Sequence, residues 1–149
     1  MKAGQYLTFK VKQNVYGLEI HSVREIKHMQ PISALPDVPP YMVGVINLRD
    51  HIIPIMDLRI RLGVQETEHT KDTCIIVIEH ETKRMGLVVD SVDTVTDLTA
   101  DQIDTTLHES EGSGFVKAIG KIEENLVLLI EVKNCFLSEN NVELLKTAA

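Results

Sequence analysis

The side chains able to do chemistry in this chain are few and scattered. Six histidines (His21, His28, His51, His69, His80 and His108) fall mostly in turns or at strand ends, where imidazoles are ordinarily solvated. No His-x-His or His-Glu-x-x-His spacing occurs, and Cys74 and Cys135 have no Cys-x-x-Cys partner, so no metal site is expected. The eight glycines are dispersed without forming a phosphate-binding loop. No serine occupies a Gly-x-Ser-x-Gly elbow. Asp57 and Asp90 each end an apolar segment. A carboxylate pair for acid–base work is conceivable there, but capping of strand ends is the plainer reading. The expectation is a protein without catalytic residues, metal or cofactor, which works through its surfaces.

Bulk properties remove further classes. The 149 residues are 44% apolar and 25% charged, which suits one compact unit spanning residues 1–149. A net charge of −7 disfavours nucleic acid, whose phosphates require a basic face, and works against an anionic lipid surface. No apolar stretch follows Lys2, so no secretory signal is expected. The longest apolar runs, Cys74 to Ile78 and Leu126 to Ile130, fall far short of the ~20 residues of a membrane span. A cytosolic protein without membrane insertion is expected, with both cysteines as buried free thiols.

The elements that position these residues are mainly strands. Leu7, Phe9 and Val11 alternate with polar neighbours, and the pattern resumes at Tyr16, Leu18 and Ile20 after a turn at Gln13-Asn14. Three more apolar pairs read as hairpins: Val43 to Leu48 with Ile52 to Met56, Cys74 to Ile78 with Met85 to Val89, and Phe115 to Ile122 with Leu126 to Ile130. Pro54 lacks an amide hydrogen, which predicts an edge strand or a bulge at that point. Short helices are predicted at Leu58 to Leu62, ended by Gly63, and at Ala100 behind a Thr99/Gln102 capping box. A final helix carrying Val142, Leu144 and Leu145 is predicted behind Ser138. Pro31, Pro36, Pro39 and Pro40 mark an irregular connection, and 67–72 reads as a polar loop.

The order of elements repeats. Tyr16 to Val23 lies over Met85 to Val92, with Gly17/Gly86, Leu18/Leu87, Ser22/Ser91 and Val23/Val92 identical. Ile55 to Arg59 lies over Leu129 to Lys133, with every pair conservative. Self-similarity in the same order along both halves indicates a duplicated unit of hairpin, single strand and hairpin. Five strands leave exposed edges unless they close. The expected architecture is therefore mainly β: two similar five-stranded β-barrels packed together, with a few short helices including a C-terminal one. The two barrel subdomains would be formed roughly by the first and second halves of the chain, with possible exchange of terminal segments.

Two stretches carry a family resemblance. Gly44-Val45-Ile46-Asn47-Leu48-Arg49, followed by Ile53-Pro54-Ile55-Met56-Asp57-Leu58-Arg59, resembles the signature of CheW-type chemotaxis coupling proteins. Tyr16 to Ile20 with Val23-Arg24-Glu25-Ile26, Gly86 to Asp90 with Val92, Leu98 to Ile103 and Glu143-Leu144-Leu145 also fit, so the resemblance covers almost the whole chain. One departure is Asp50, where most relatives have glycine. An aspartate tolerates a positive backbone angle better than most residues, and it places a carboxylate beside Arg49.

The resemblance implies an adaptor without catalysis at receptor arrays beneath the inner membrane. Two partners follow from it: the cytoplasmic helical-hairpin tip of a chemoreceptor, and the barrel-bearing regulatory domain of the CheA histidine kinase. It also implies roles for particular residues. Val23, Gly44, Cys74, Gly86 and Val92 align with a receptor-facing or groove-supporting region. Glu25 and Arg49 align with a charged pair that matters for signalling. Plainer alternatives stand beside these. Val23 and Val92 read equally as core, and Gly44 and Gly86 as glycines admitting a neighbouring backbone. Glu25 reads as the acid of a Ser22-x-x-Glu25 capping box, and Arg49 as a solvated turn residue. Two other functional readings are a coupling protein for pilus-based motility and a small barrel enzyme with an unrecognised site. The ending at Leu145 to Ala149 leads to the expectation of a stand-alone module.

Overall fold

The structure is a computed structural model that describes residues 2–64, 67–105 and 115–136. Eleven strands form two sheets. They are β1 (Gly4–Val11), β2 (Asn14–Glu19), β3 (Val23–His28), β4 (Met42–Leu48), β5 (His51–Asp57), β6 (Cys74–His80), β7 (Lys83–Val89), β8 (Ser91–Leu98), β9 (Ile103–Asp104), β10 (Val116–Ile122) and β11 (Asn125–Ile130). Two short helices, α1 (Leu58–Arg61) and α2 (Lys133–Phe136), follow β5 and β11. One sheet runs β8-β1-β2-β11-β10-β9 and the other β3-β6-β7-β5-β4. The helix expected behind Ser138 lies outside the described residues.

The duplication is visible in the register. β2 and β11 run parallel with Gly17 beside Leu129, and β7 and β5 run parallel with Gly86 beside Ile55. The bulges repeat too: β4–β5 slips between Met42 and Gly44, and β10–β11 between Val116 and Ala118. Four hairpin turns open on a left-handed residue: Lys12, Arg49, Glu81 and Glu123 have φ of 56, 48, 59 and 56°. Two-residue turns need positive φ to match the twist of their strands. Asp50 follows Arg49 at φ 68°, the conformation that its side chain tolerates better than most.

The single strand of each repeat crosses over. β3 leaves the β1–β2 hairpin and pairs with β6, whereas β8 leaves β6–β7 and pairs with β1. Residues 4–19 therefore lie in the sheet of the later strands β8 to β11, and residues 23–57 and 74–89 form the other.

Three apolar clusters result. Ile46, Leu48, Ile53, Ile55, Ile75, Val77 and Val88 fill the inside of the five-stranded sheet. Tyr6, Leu98, Ala118, Val127 and Leu129 do the same for the six-stranded one. A larger core joins the two hairpins: Leu7, Phe9, Val11, Tyr16 and Leu18 meet Cys74, Ile76, Ile78, Met85, Leu87 and Val89. Tyr6 and Thr8 are buried as well, so β1 is covered on both faces over this stretch, where alternation alone predicted a half-buried strand.

Two expectations are corrected and a third is made more specific. The described ladders are not closed barrels: β3 and β4 end one sheet, β8 and β9 the other, and the latter has a sixth strand. On the β4 edge the neighbouring segment is rich in proline, which cannot donate to a ladder. Only Ser33 bridges across, exchanging both backbone hydrogen bonds with Val45 at 2.9 Å. Pro54 is neither on an edge strand nor at a bulge, because β5 lies between β7 and β4. Val45, opposite Pro54, directs its own N–H and C=O to Ser33, and pairing with β7 begins only at Ile55. No ladder bond is asked of the proline. The Ala100 helix is a single 3-10 turn, Ala100–Gln102, entered where the Thr99 amide donates to the Gln102 side chain at 2.8 Å.

Gly44 and Gly86 flank Ile55 in one row across the sheet. At φ +145°, Gly44 lies so close to Ser33 that a Cβ would overlap the Ser33 carbonyl. A Cβ on Gly86 would meet Ile55 Cδ1, a flexible side-chain end, at 2.6 Å and the branch methyl Cγ2 of Ile75 at 2.8 Å. Gly44→Ala should destabilise the protein by roughly 2–4 kcal/mol, more than Gly86→Ala, because backbone yields less than an isoleucine tip. Gly86→Asp should not fold, since it adds a carboxylate to an apolar interior. Thermal unfolding of the three variants checks the order; equal losses for the two alanines would contradict it.

Candidate functional site

Sequence reasoning singled out Glu25 and Arg49, and the fold brings them together. Glu25 lies on β3 and Arg49 at the tip of the β4–β5 turn, so the contact joins opposite edges of the five-stranded sheet. The guanidinium grips the carboxylate with two parallel bonds, Nη1 to Oε2 at 2.9 Å and Nη2 to Oε1 at 3.0 Å. This fork geometry is specific to arginine. Asp50 takes no part in it. The hydrogen bond from Arg49 holds the Glu25 carboxyl below its ordinary range, against slight desolvation, and Glu25 in turn raises the Arg49 guanidinium. Arg49 is 68% exposed and Glu25 27% exposed, so the pair presents a fixed charge pattern to solvent. Glu25 sits in a strand bonded to Arg49, which replaces the capping-box reading.

The five residues aligned with a receptor groove are placed in two groups. Val23 is the first residue of β3 and Val92 the second of β8, both half-buried against the central core. Cys74 belongs to that core, and the Val92 backbone faces its sulfur. Burial pushes the Cys74 thiol up, with the Val92 contact opposing it, so the sulfur is an unreactive packing atom. Val23, Cys74 and Val92 thus mark the seam between the sheets. Gly44 and Gly86 lie away from it, in the row through Ile55, where they serve packing within one sheet.

Arg59 is the site residue that sequence reasoning passed over. It is 1% exposed. Its Nε and Nη2 hold the two oxygens of Asp57 at 3.0 and 2.9 Å, and its Nη1 reaches Asp90 at 3.2 Å and the Glu68 carbonyl at 2.9 Å. Burial works against its charge, but the bonds to Asp57 and Asp90 outweigh that and raise its affinity for the proton. Asp57 also caps α1 by accepting from the Arg59 amide at 3.0 Å. One guanidinium thus bridges both carboxylates, which makes them anchors of a structural network. An acid and a base two residues apart, at the end of a wholly apolar strand, were the available signal.

Among the described residues four large apolar side chains are notably exposed: Ile26 at 46%, Ile52 at 48%, Val95 at 46% and Leu126 at 54%. They form two pairs under the sequence repeat, Ile26 with Val95 on the crossing strands and Ile52 with Leu126 just after a hairpin turn. The Glu25–Arg49 bond ties β3 to the turn before Ile52, so Ile26 and Ile52 share one end of their sheet. Two of the surrounding charges are reversed between the copies, while Asp50 and Glu124 keep one sign. Arg24 and Arg49 stand where the other copy has Asp93 and Glu123. Among the described residues no group of three or more His, Cys, Asp or Glu is placed to hold a metal, and no helix is long and apolar enough to cross a membrane.

Comparison with known proteins agrees with this geometry. The CheW-like domain matches residues 5–139. The probable chemotaxis protein CheW of Rhizobium etli is 35% identical over 134 residues, covering 89% of this chain and 86% of its own length. The crystal structure of the scaffolding protein TtCheW from Thermoanaerobacter tengcongensis superposes with a TM-score of 0.84 at 29% identity, over 94% of this chain and 96% of that one. Protein PilI of Pseudomonas aeruginosa is 32% identical over 84 residues, covering 56% of this chain and 47% of PilI.

Three measurements test the site. An NMR titration of Glu25 should give a midpoint below the ordinary carboxylate value, returning towards it in Arg49→Ala. Because the folded value is depressed, the pair's small stabilisation is present above the unfolded midpoint and lost as pH falls through the folded one. Arg49→Ala should still melt within a few degrees of wild type, as exposed pairs contribute little. Arg59→Met, in contrast, strands Asp57 in the core and should cost about 3–5 kcal/mol by denaturant unfolding.

Proposed function

The chain belongs to the CheW-like domain family, and from that membership we propose that it is a chemotaxis coupling adaptor joining chemoreceptors to the CheA histidine kinase. It catalyses nothing itself; its work is to hold two partners in a set geometry beneath the inner membrane. The receptor's cytoplasmic helical-hairpin tip takes the seam where Val23, Cys74 and Val92 lie. Apolar clefts between packed units suit an amphipathic helix, and a half-buried valine on each crossing strand gives such a helix something to press on.

The kinase's regulatory domain takes the ends of the sheets. The observation that carries this is the pairing of exposed residues: Ile26 and Ile52 with basic neighbours in one copy, Val95 and Leu126 with acidic neighbours in the other. A partner of the same fold would offer to each end the counterpart of the opposite end, apolar to apolar and base to acid. The bidentate Glu25–Arg49 pair fixes the arginine at that end, which suits orientation of a partner better than added stability.

The pilus-motility reading has less support, because the match to PilI spans under half of that protein. An enzyme is disfavoured because Asp57 and Asp90 are both engaged in holding Arg59.

Reconstitution with receptor signalling fragments and kinase separates the two surfaces. Val23→Asp and Val92→Asp should each weaken receptor binding by at least about tenfold with an unchanged circular-dichroism spectrum, since a carboxylate would be desolvated under the helix. Ile52→Asp should spare receptor binding and weaken the kinase domain. Arg49→Ala should fold yet lose receptor control of the kinase, and Arg49→Lys should rescue poorly. Wild-type receptor affinity in both valine variants would remove the seam from the proposal, and full kinase control by Arg49→Ala would remove the pair.

A further inference from the structure

The chain crosses between its sheets twice, and the repeat makes the two crossings equivalent. The first passes through Ile20–Ser22 between β2 and β3, the second through Asp90 between β7 and β8. Under the repeat, His21 stands where Asp90 does, and Glu131 and Lys133 stand where Asp57 and Arg59 do. The chemistry of the two crossings is not equivalent.

Asp90 is tied to both sheets. Its amide donates to the Lys10 carbonyl at 3.0 Å, and its Oδ2 accepts from the Lys12 amide at 2.7 Å, both in the β1–β2 hairpin. Its Oδ1 accepts from Arg59 Nη1 at 3.2 Å, and Arg59 is anchored on Asp57 at the end of β5. One buried guanidinium and one carboxylate therefore connect the end of the five-stranded sheet to a turn of the six-stranded one. At the other crossing the corresponding ions are spread on the surface. Lys133 lies 3.9 Å from Glu131 with the two side chains 50% and 34% exposed, and among the described residues no ion pair links them to His21, which is itself exposed.

We propose that Arg59 and Asp90 form a clasp that sets the angle between the two sheets, with the Ile20–Ser22 crossing as the pivot. Arg59 is then a positioning residue for the coupling function. The inference rests on the adaptor reading in one respect: the ends at Ile26/Ile52 and Val95/Leu126 serve two partners only if their mutual angle is held. The asymmetry follows from burial. An ion pair desolvated on one side, with the Asp57 carboxylate fixing the guanidinium, resists opening far more than a solvated lysine–glutamate pair at 3.9 Å.

The test uses the full chain and Asp90→Asn, which keeps the acceptor for the Lys12 amide and removes the charge facing Arg59. Lys133→Met is the control at the other crossing. Residual dipolar couplings of wild type should fit one alignment tensor for both sheets. Asp90→Asn should require two, with amide protection inside each sheet preserved and the Lys12 amide exchanging about tenfold faster. Receptor fragment and kinase domain should each still bind Asp90→Asn alone, while the ternary assembly loses receptor control of the kinase. Lys133→Met should behave as wild type. A single tensor with unchanged Lys12 exchange in Asp90→Asn overturns the clasp, and so does an equal effect of Lys133→Met. Failure of the wild-type chain to bind either partner would instead overturn the adaptor reading and leave the clasp to the couplings. Should Asp90→Asn not fold, wild type decides: the Lys12 amide and the Arg59 Nη1–H, which both donate to Asp90, should exchange through one shared opening, and separate openings would refute the clasp.

Discussion

The hairpins β1–β2 and β6–β7 have almost no wet surface. Each is pressed on one side against the inside of its own curled sheet and on the other against the opposite hairpin. A sheet with two apolar faces must be covered twice, and one five-stranded unit can cover only its inner face. The second copy supplies the missing cover. This requirement makes the molecule double, and it explains why the crossing strands β3 and β8 pass to the other sheet. Burying both faces also makes charge at the crossings costly, and the buried Arg59 guanidinium is held there by Asp57, Asp90 and the Glu68 carbonyl together.

Much of this was legible in the residues. The four hairpins, the α1 turn ended by Gly63 and the offset between the copies came from alternation, turn chemistry and identity, which are local properties. The register made the duplication stronger than the sequence suggested, since bulges and left-handed turns repeat at matching positions. What escaped depends on distant segments. Pro54 reads as an edge residue until Val45 is seen to pair with Ser33. The expected closure of the barrels is interrupted because the prolines between β3 and β4 leave few amides to complete the ladder. Gly86 reads as part of a groove until its neighbours, Ile55 and Ile75, place it inside a sheet.

The candidate site divides in the same way. Glu25 and Arg49 are separated by two strands and the proline-rich connection, and only the family pattern related them; the bidentate geometry then followed from how the sheet curls. Arg59 shows the opposite case. Its partners, Asp57 and Asp90, were noticed as strand-end acids, but an arginine directly after an apolar strand resembles an ordinary surface residue until its burial is known. The exposed pairs at Ile26/Val95 and Ile52/Leu126 needed both kinds of information, the repeat from sequence and the exposure from structure. The reversal of charge between them means that the copies, equal in backbone, have diverged into unlike docking ends.

The exchange of crossing strands also governs how the chain is made. A ribosome releases β1–β2 first, yet its lateral partners β8 and β11 are among the later strands to emerge. The five-stranded sheet, whose strands lie between residues 23 and 89, can assemble while the N-terminal hairpin still waits with one apolar face and both edges open. Long-range pairing of this kind slows folding and leaves aggregation-prone edges exposed in the meantime. The first segment synthesised is therefore among the last to be sealed, and a nascent chain interrupted after β7 would hold one finished sheet and one sticky hairpin.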